Sequence, residues 1–426
     1  MKKLTGLAAL VMCFCMLFST AVYAEDGTIS GTVIEVQKYG NLVMDFTPSD
    51  MLGAGFEVGD ILTISVGENE LEAPLCTSYS DVDTGSLVIR LTGEQVIVAI
   101  NMGNFSTTYG VGDGETVTFT LKQAKGYLSE YTIRQLTRTN ERADYSSDDV
   151  FANFRNVTTT GIADGVLFRS SSPVNNEIGR AAYADRLAEE NGIETVVNLA
   201  DSDASIESYR GAEDFDSPYY ADLYDNGQVI TLNMGVDLKS DDFRAKLAEG
   251  LEFMAENDAP YLIHCTEGKD RAGFVSAVIE LAMGASLDEA VEDYMKTYEN
   301  YYGVEKGSEK YEMIANSNIR ASIATIICGL DKDADLSGID LQEATALYLL
   351  GIGLSEDTLG TLYVKLSGAA APGTALEDEE PAPVEPEPVI LPKTGTLPVI
   401  AYIGMGLFLV AGGALVVFGA RKNRNE

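Results

Sequence analysis

The chain has 426 residues, one His, five Cys, no Trp and a formal net charge of -37 from 29 basic and 66 acidic side chains. Its length argues for two or three folded units, and 46% hydrophobic with 22% charged residues is globular composition, which excludes a wholly disordered chain. So acidic a chain is not a nucleic-acid binder, because phosphate backbones are held by Lys and Arg clusters and none stands out here.

The chain opens with Met1-Lys2-Lys3, an apolar run from Leu7 to Phe18 and the small-x-small triplet Val22-Tyr23-Ala24. This is the pattern of a secretory leader over residues 1–24, cleaved before Glu25. The apolar run is too short for the roughly 20 residues of a spanning helix. Cys13 and Cys15 depart with the leader, leaving Cys76, Cys265 and Cys328. Three is an odd number, so no cystine framework staples the mature chain. Cys76 and Cys328 sit among apolar neighbours and read as buried, inert thiols.

Residues 25–124 hold short runs rich in Val, Ile and Thr: Thr28 to Val36, Ile61 to Val66, Ser86 to Leu91, Gln95 to Ile100 and Thr116 to Leu121. Turn formers such as Gly59-Asp60, Thr92-Gly93-Glu94 and Gly112-Asp113-Gly114 separate them, and no helical period interrupts them. A small all-β barrel or sandwich is the expectation. Gly40-Asn41-Leu42, Tyr79-Ser80-Asp81-Val82 with Gly85, and Ala99-Ile100-Asn101-Met102-Gly103-Asn104 give this segment a resemblance to the C-terminal barrel of the S-adenosylmethionine hydroxide adenosyltransferase family. That family's N-terminal domain contributes much of its active site, and here the strands begin directly after the leader. The resemblance therefore implies an accessory or binding module.

A polar connector over 125–150 leads to residues 151–368, where short apolar strands alternate with helices. That pattern predicts an α/β domain with a central, mostly parallel sheet flanked by helices. The strands are Thr195 to Leu199, Val229 to Asn233 and Pro260 to His264; the helices are Asn175 to Asn191, Asp241 to Glu256 and Arg271 to Met283. Ser286-Leu287-Asp288-Glu289 has capping-box spacing and predicts a further helix from Ser286.

The chemistry concentrates at Tyr261-Leu262-Ile263-His264-Cys265-Thr266-Glu267-Gly268-Lys269-Asp270-Arg271-Ala272-Gly273. A strand ends at a Cys, a tight Gly-containing loop follows, and a helix opens near Arg271. Successive backbone N–H groups and the helix dipole then converge on one concavity suited to a phosphate and to a thiolate. Arg271 adds a bidentate fork for phosphate oxygens. The Cys-x5-Arg spacing is weak alone; the sole His before the Cys and the placement between strand and helix strengthen it. The bland alternative is a buried Cys before a solvated charged loop.

This stretch resembles the loop of the Cys-based protein tyrosine phosphatase superfamily, specifically the bacterial tyrosine and lipid phosphatases with Gly-Lys-Asp-Arg. Asn153-Phe154-Arg155-Asn156 and Leu167-Phe168-Arg169-Ser170 fit the same subgroup. The resemblance implies Cys265 as nucleophile, Arg271 as phosphate clamp, Asp270 as general acid with Asp201, Asp203 and Asp237 in reserve as solvated surface carboxylates, and no cofactor. It implies the amides of Thr266, Glu267, Gly268, Lys269, Asp270 and Arg271 as the oxyanion cradle, His264 as a loop orienter that tunes the thiolate, and Lys269 as positive charge at the mouth. The family usually has Ser or Thr after the Arg, to help the thiolate depart from phosphocysteine; here Ala272 stands there. Slow breakdown of the intermediate is expected, and a non-catalytic phosphate- or ligand-binding surface protein is the alternative. Substrates expected are a phosphorylated peptide, a lipid or a small phosphoester; inositol polyphosphates fit the acidic surface less well.

Asp331-Lys332-Asp333-Ala334-Asp335 opens like a calcium loop, but Leu336 replaces the needed Gly and Gln342 the final Glu, so a solvated helix-start loop is expected. One His excludes a multi-His metal site. Residues 369–390 are rich in Pro, Glu and Ala, an extended self-repelling spacer. Leu391-Pro392-Lys393-Thr394-Gly395 precedes the uncharged run Thr396 to Ala420 and the basic Arg421, Lys422 and Arg424. Residues 391–426 thus resemble the cell-wall sorting signal of Gram-positive surface proteins, implying sortase cleavage after Thr394, attachment to peptidoglycan and a secreted, wall-anchored protein.

Overall fold

The computed structural model describes residues 22–24 and 27–369. Residues 1–21 of the expected leader, the spacer from 370 onward, the sorting signal Leu391, Pro392, Thr394 and Gly395, and the apolar run 396–420 lie outside the described residues. Among the described residues no helix is long and apolar enough to cross a membrane.

The N-terminal strands are β1 (Val22–Ala24), β2 (Thr28–Val36), β3 (Leu42–Met44), β4 (Ile61–Val66), β5 (Asn69–Cys76), β6 (Leu87–Thr92), β7 (Gln95–Ile100) and β8 (Thr116–Gln123). From β2 they run β3, β7, β6, β5, β4, β8, and β8 pairs back onto β2, which closes a seven-strand barrel; β1 pairs antiparallel with β2 alone. Closure removes open sheet edges. Alternation along β2 and β4 turns Ile29, Val33, Leu62, Ile64 and Val66 inward, where they meet Phe46, Phe105 and Phe119. Each such side chain contributes about 1.5–3 kcal/mol by leaving water.

Two strands escaped the sequence pattern. β3 is three residues long and wholly buried, so it has no alternation, and β5 carries Asn69, Glu70, Glu72 and Pro74. The expectation of an uninterrupted β run is also corrected. A helix Pro48–Gly53 is nucleated by a capping box between Thr47 and Asp50, and a helix Phe105–Tyr109 by Asn104.

The segment read as a polar connector is folded. β8 continues to Gln123, a helix spans Leu128–Arg134, a 3-10 turn Arg142–Asp144 and a helix Asp148–Ala152. Tyr127 and Tyr131 pack on the barrel cluster of Cys76, Val82 and Val88, while Ile133 and Leu136 pack against the core of the following domain. Spaced apolar side chains at both ends of a polar stretch bind it to two cores.

The second sheet contains β9 (Arg155–Asn156), β10 (Leu167–Ser170), β11 (Thr195–Asn198), β12 (Val229–Thr231) and β13 (Tyr261–His264), in the order β12-β11-β13-β10-β9. The first four are parallel and β9 is an antiparallel edge. Alternate residues face opposite layers. Phe168, Val196 and Leu262 meet the helices Ala181–Glu190, Asp203–Arg210 and Pro218–Asp225. Leu167, Val197 and Ile263 meet the helices Asp241–Glu256 and Asp270–Met283. The structure is thus a barrel followed by an α/β domain. The helix expected over 175–191 is split: Gly179 adopts φ +70° after a 3-10 turn Asn176–Ile178 and the helix proper starts at Ala181. The capping box at Ser286 does start a helix, Leu287–Tyr302.

Candidate active site

β13 is central, so its C-terminal end opens where ligands of open α/β sheets sit. Cys265 follows immediately and is buried, and the loop reaches the helix Asp270–Met283 through Gly268 at φ +67°. A Cβ on Gly268 would lie 2.2 Å from the Ser170 carbonyl oxygen, so only glycine lets the loop pass this close to the end of β10.

The loop carbonyls are gripped from behind. Thr266 O accepts from the Ser172 amide (3.1 Å), and Glu267 O from the Tyr301 hydroxyl (2.8 Å). Gly268 O accepts from Arg169 Nη2 (2.8 Å) and Asn153 Nδ2 (3.2 Å), and Lys269 O from Arg169 Nη2 (3.3 Å). The amides of residues 266–270 find no acceptor among the described residues. With every carbonyl turned into the protein, the N–H groups face the opposite way, which makes an anion cradle at a helix N-terminus.

Arg169 is itself fully buried and ion-paired with Asp293, which also holds Arg155 at 2.7 Å. Burial opposes the charge on Asp293, and the two guanidiniums override it, holding its carboxyl well below the usual range. Glu280 lies in the same cluster; burial and the Asp293 charge raise its carboxyl well above its ordinary value.

Arg271 is half-buried, its guanidinium donating to Met234 O (2.9 Å) and Thr266 Oγ1 (3.3 Å). It therefore sits at the lip of the same loop. His264 is fully buried, its Nδ1 3.4 Å from Cys265 O and its ring edge-on to Tyr220. Burial pushes it down to about 3, so the ring is neutral near pH 7 and contributes no cationic charge to the thiol.

Lys269 departs from expectation. Its ammonium lies 3.4 Å from Glu267 and 3.5 Å from Asp270 and over the rings of Tyr298 and Tyr302, a partly buried, already paired cation rather than a free charge at the mouth. Asp270 is exposed at the helix start, with Oδ1 3.4 Å from the Tyr294 hydroxyl. Ala272 is buried in the first turn.

Among the reserve carboxylates, Asp201 is not a surface group. It is 5% exposed and accepts from Asn198 Nδ2 and the Tyr209 hydroxyl, because the turn after β11 folds inward. Asp203 is exposed and accepts from Tyr224 and Thr231. Asp237 is exposed on the loop whose Met234 carbonyl binds Arg271. The acidic loop at Asp331–Asp335 does not itself cap a helix; Asp340 caps Leu341–Gly351. Burial pushes the Cys76 thiol up to about 12 and raises that of Cys328, which is only partly buried.

Sequence reasoning named the segments holding Asn153, Arg155 and Arg169 without assigning roles, and missed Arg138, Asp293 and Tyr301. The available signal was Arg169 in the apolar run Leu167-Phe168, since Arg is almost never fully buried without a partner.

Residues 149–327 match a family model described as tyrosine phosphatase family, and residues 31–118 one described as the SAM hydroxide adenosyltransferase C-terminal domain. The match over 149–327 supports a phosphatase enzyme in the second domain. No curated protein matches it. A structure of P. aeruginosa TpbA in complex with pTyr is 19% identical, covering 47% of this chain and 95% of that one (TM-score 0.28). The core catalytic domain of the PP-IP phosphatase SIW14 from S. cerevisiae is 18% identical over 42% and 91% (TM-score 0.24). An uncharacterized conserved protein from Thermotoga maritima is 24% identical over 23% of this chain and 37% of that one (TM-score 0.22), so the chain spans little more than a third of that relative's length.

Proposed function

We propose that this chain is a Cys-dependent phosphomonoester hydrolase of the bacterial tyrosine and lipid phosphatase subgroup. The observation that carries the reading is the cradle: a buried Cys265 at its floor, carbonyls turned away and Arg271 at its lip. Three phosphate oxygens would rest on the amides of Thr266 to Asp270 and on Arg271. The Cys265 thiolate attacks phosphorus, the S–P bond forms, the ester P–O bond breaks, and Asp270 gives its proton to the leaving oxygen. Water then attacks the phosphocysteine, Asp270 takes a water proton, and the S–P bond returns its electrons to sulfur. Without a hydroxyl at Ala272 that departure is slow. A phosphopeptide or small phosphoester is the substrate class, since a chain of charge -37 disfavours polyanions.

The domain division (leader to 24, barrel 25–124, connector 125–150, phosphatase 151–368, spacer 369–390, sorting signal 391–426) supports export and sortase-mediated attachment to peptidoglycan through Thr394 in a Gram-positive wall. The barrel is an accessory module. Two experiments test this reading. Residues 25–394 should hydrolyse p-nitrophenyl phosphate under reducing conditions and the Cys265→Ser variant should not; equal inactivity across pH 4 to 8 with no trappable phosphocysteine would sink it. Replacing Thr394 should release protein into the medium, and wall retention would refute the anchoring.

A further inference from the structure

The segment 136–146 lies upstream of the family match at 149–327, yet it closes one side of the cradle. Arg138 Nη2 is 2.6 Å from Glu267 Oε1, with both side chains largely out of solvent, and its guanidinium lies 5.6 Å from the ring of Tyr301, whose hydroxyl holds the Glu267 carbonyl. Arg180 fastens the same segment: its Nη2 donates to Thr139 O (3.0 Å) and Tyr145 Oη (2.9 Å), and its guanidinium covers Tyr301 at 4.2 Å. The segment is therefore part of the site's wall.

Glu267 places a carboxylate between Cys265 and Gly268, within the run of amides that faces the anion. A carboxylate there opposes a phosphate dianion, and at low effective dielectric the repulsion is large. Lys269, 3.4 Å from the other oxygen, is shared with Asp270 and cannot cancel both acids. We infer that Arg138 is a positioning residue that neutralises Glu267 and thereby sets the cradle's affinity for phosphate, so that the phosphatase unit extends upstream to the folded connector. This rests on the phosphatase reading.

The test is a double-mutant cycle in residues 25–394: Arg138→Ala, Glu267→Gln and the pair. The readouts are the Kd for inorganic phosphate by calorimetry, KM and kcat for p-nitrophenyl phosphate, and the melting temperature of each variant. Arg138→Ala should raise Kd and KM on the order of tenfold or more, with a much smaller change in kcat. Adding Glu267→Gln should restore both to within about threefold of wild type, because the uncompensated charge is gone. Purely structural damage would instead persist or worsen in the double variant. The inference is overturned if Arg138→Ala binds phosphate as wild type does, or if the double variant is no better than the single. Wild type that binds phosphate without turnover would sink the phosphatase reading while the binding cycle still decides the role of Arg138; wild type that does not bind phosphate sinks both.

Discussion

Arg169 offers the sharpest test of how the cradle is held. It is fully buried, and one guanidinium serves Asp293, Gly268 O and Lys269 O. Removing one partner of a buried charge pair costs 3–5 kcal/mol when the other is stranded. Here Asp293 retains Arg155, so Arg169→Met should fall at the low end, about 3 kcal/mol. At roughly 2–4 °C per kcal/mol for a domain of 150–250 residues, the melting temperature should drop by about 6–12 °C. Arg169→Lys keeps a cation for Asp293 but loses the planar fork that reaches two carbonyls, so it should recover much of the stability. Activity should not follow. With Gly268 O left to Asn153 alone and Lys269 O to the Gly273 amide, the loop is gripped less tightly and the amides lose their aim, and a shift of about 1 Å in such a site costs on the order of 10²-fold. Thermal unfolding and kcat/KM on p-nitrophenyl phosphate would be measured for both variants. An Arg169→Lys enzyme with wild-type turnover, or an Arg169→Met enzyme that melts early but keeps its kcat/KM, would refute the account.

The other expectations concern the loop. Ala272→Thr should speed steady-state turnover relative to the initial burst, by supplying a hydroxyl to the departing thiolate; a variant with no faster steady state refutes the role given to that position. Gly268→Ala sets a Cβ 2.2 Å from a backbone oxygen and forces a φ of +67° on alanine, which alone costs roughly 1–2 kcal/mol, so a melting point within 2 °C of wild type would contradict the close approach. His264 is neutral when folded down to about pH 3 but protonates near 6.5 when unfolded. Between those values the unfolded chain binds the extra proton. This contribution is therefore fully present above about pH 6.5 and is lost as pH falls towards 3. His264→Asn should flatten that acid limb of a denaturation-versus-pH curve, and an unchanged slope would count against the buried neutral ring. Asp185 acts in the opposite sense: burial raises it to about 6, so its contribution falls as pH rises through 4 to 6, and the two limbs are separated by comparing the variant with wild type.

Strand, Cys, glycine turn and helix were legible at 260–283 because they are local: an apolar run, a left-handed position and a helix start are each written within a few residues. The Val-, Ile- and Thr-rich runs of β2 and β4, the capping box at Ser286 and the α/β alternation were legible for the same reason. Tertiary structure decided what local pattern could not. β3 and β5 became strands through their neighbours in the barrel, despite brevity in one and acidic residues and a proline in the other. The connector folded because its few apolar side chains found two cores to cover. Above all, the direction in which the loop amides point depends on Asn153, Arg169 and Tyr301, brought from 34 to more than a hundred residues away to claim the carbonyls. Sequence determined that Cys265 stands between a strand and a glycine turn that opens a helix; only long-range hydrogen bonding, which leaves no mark at any short spacing, decided which partners hold the loop carbonyls.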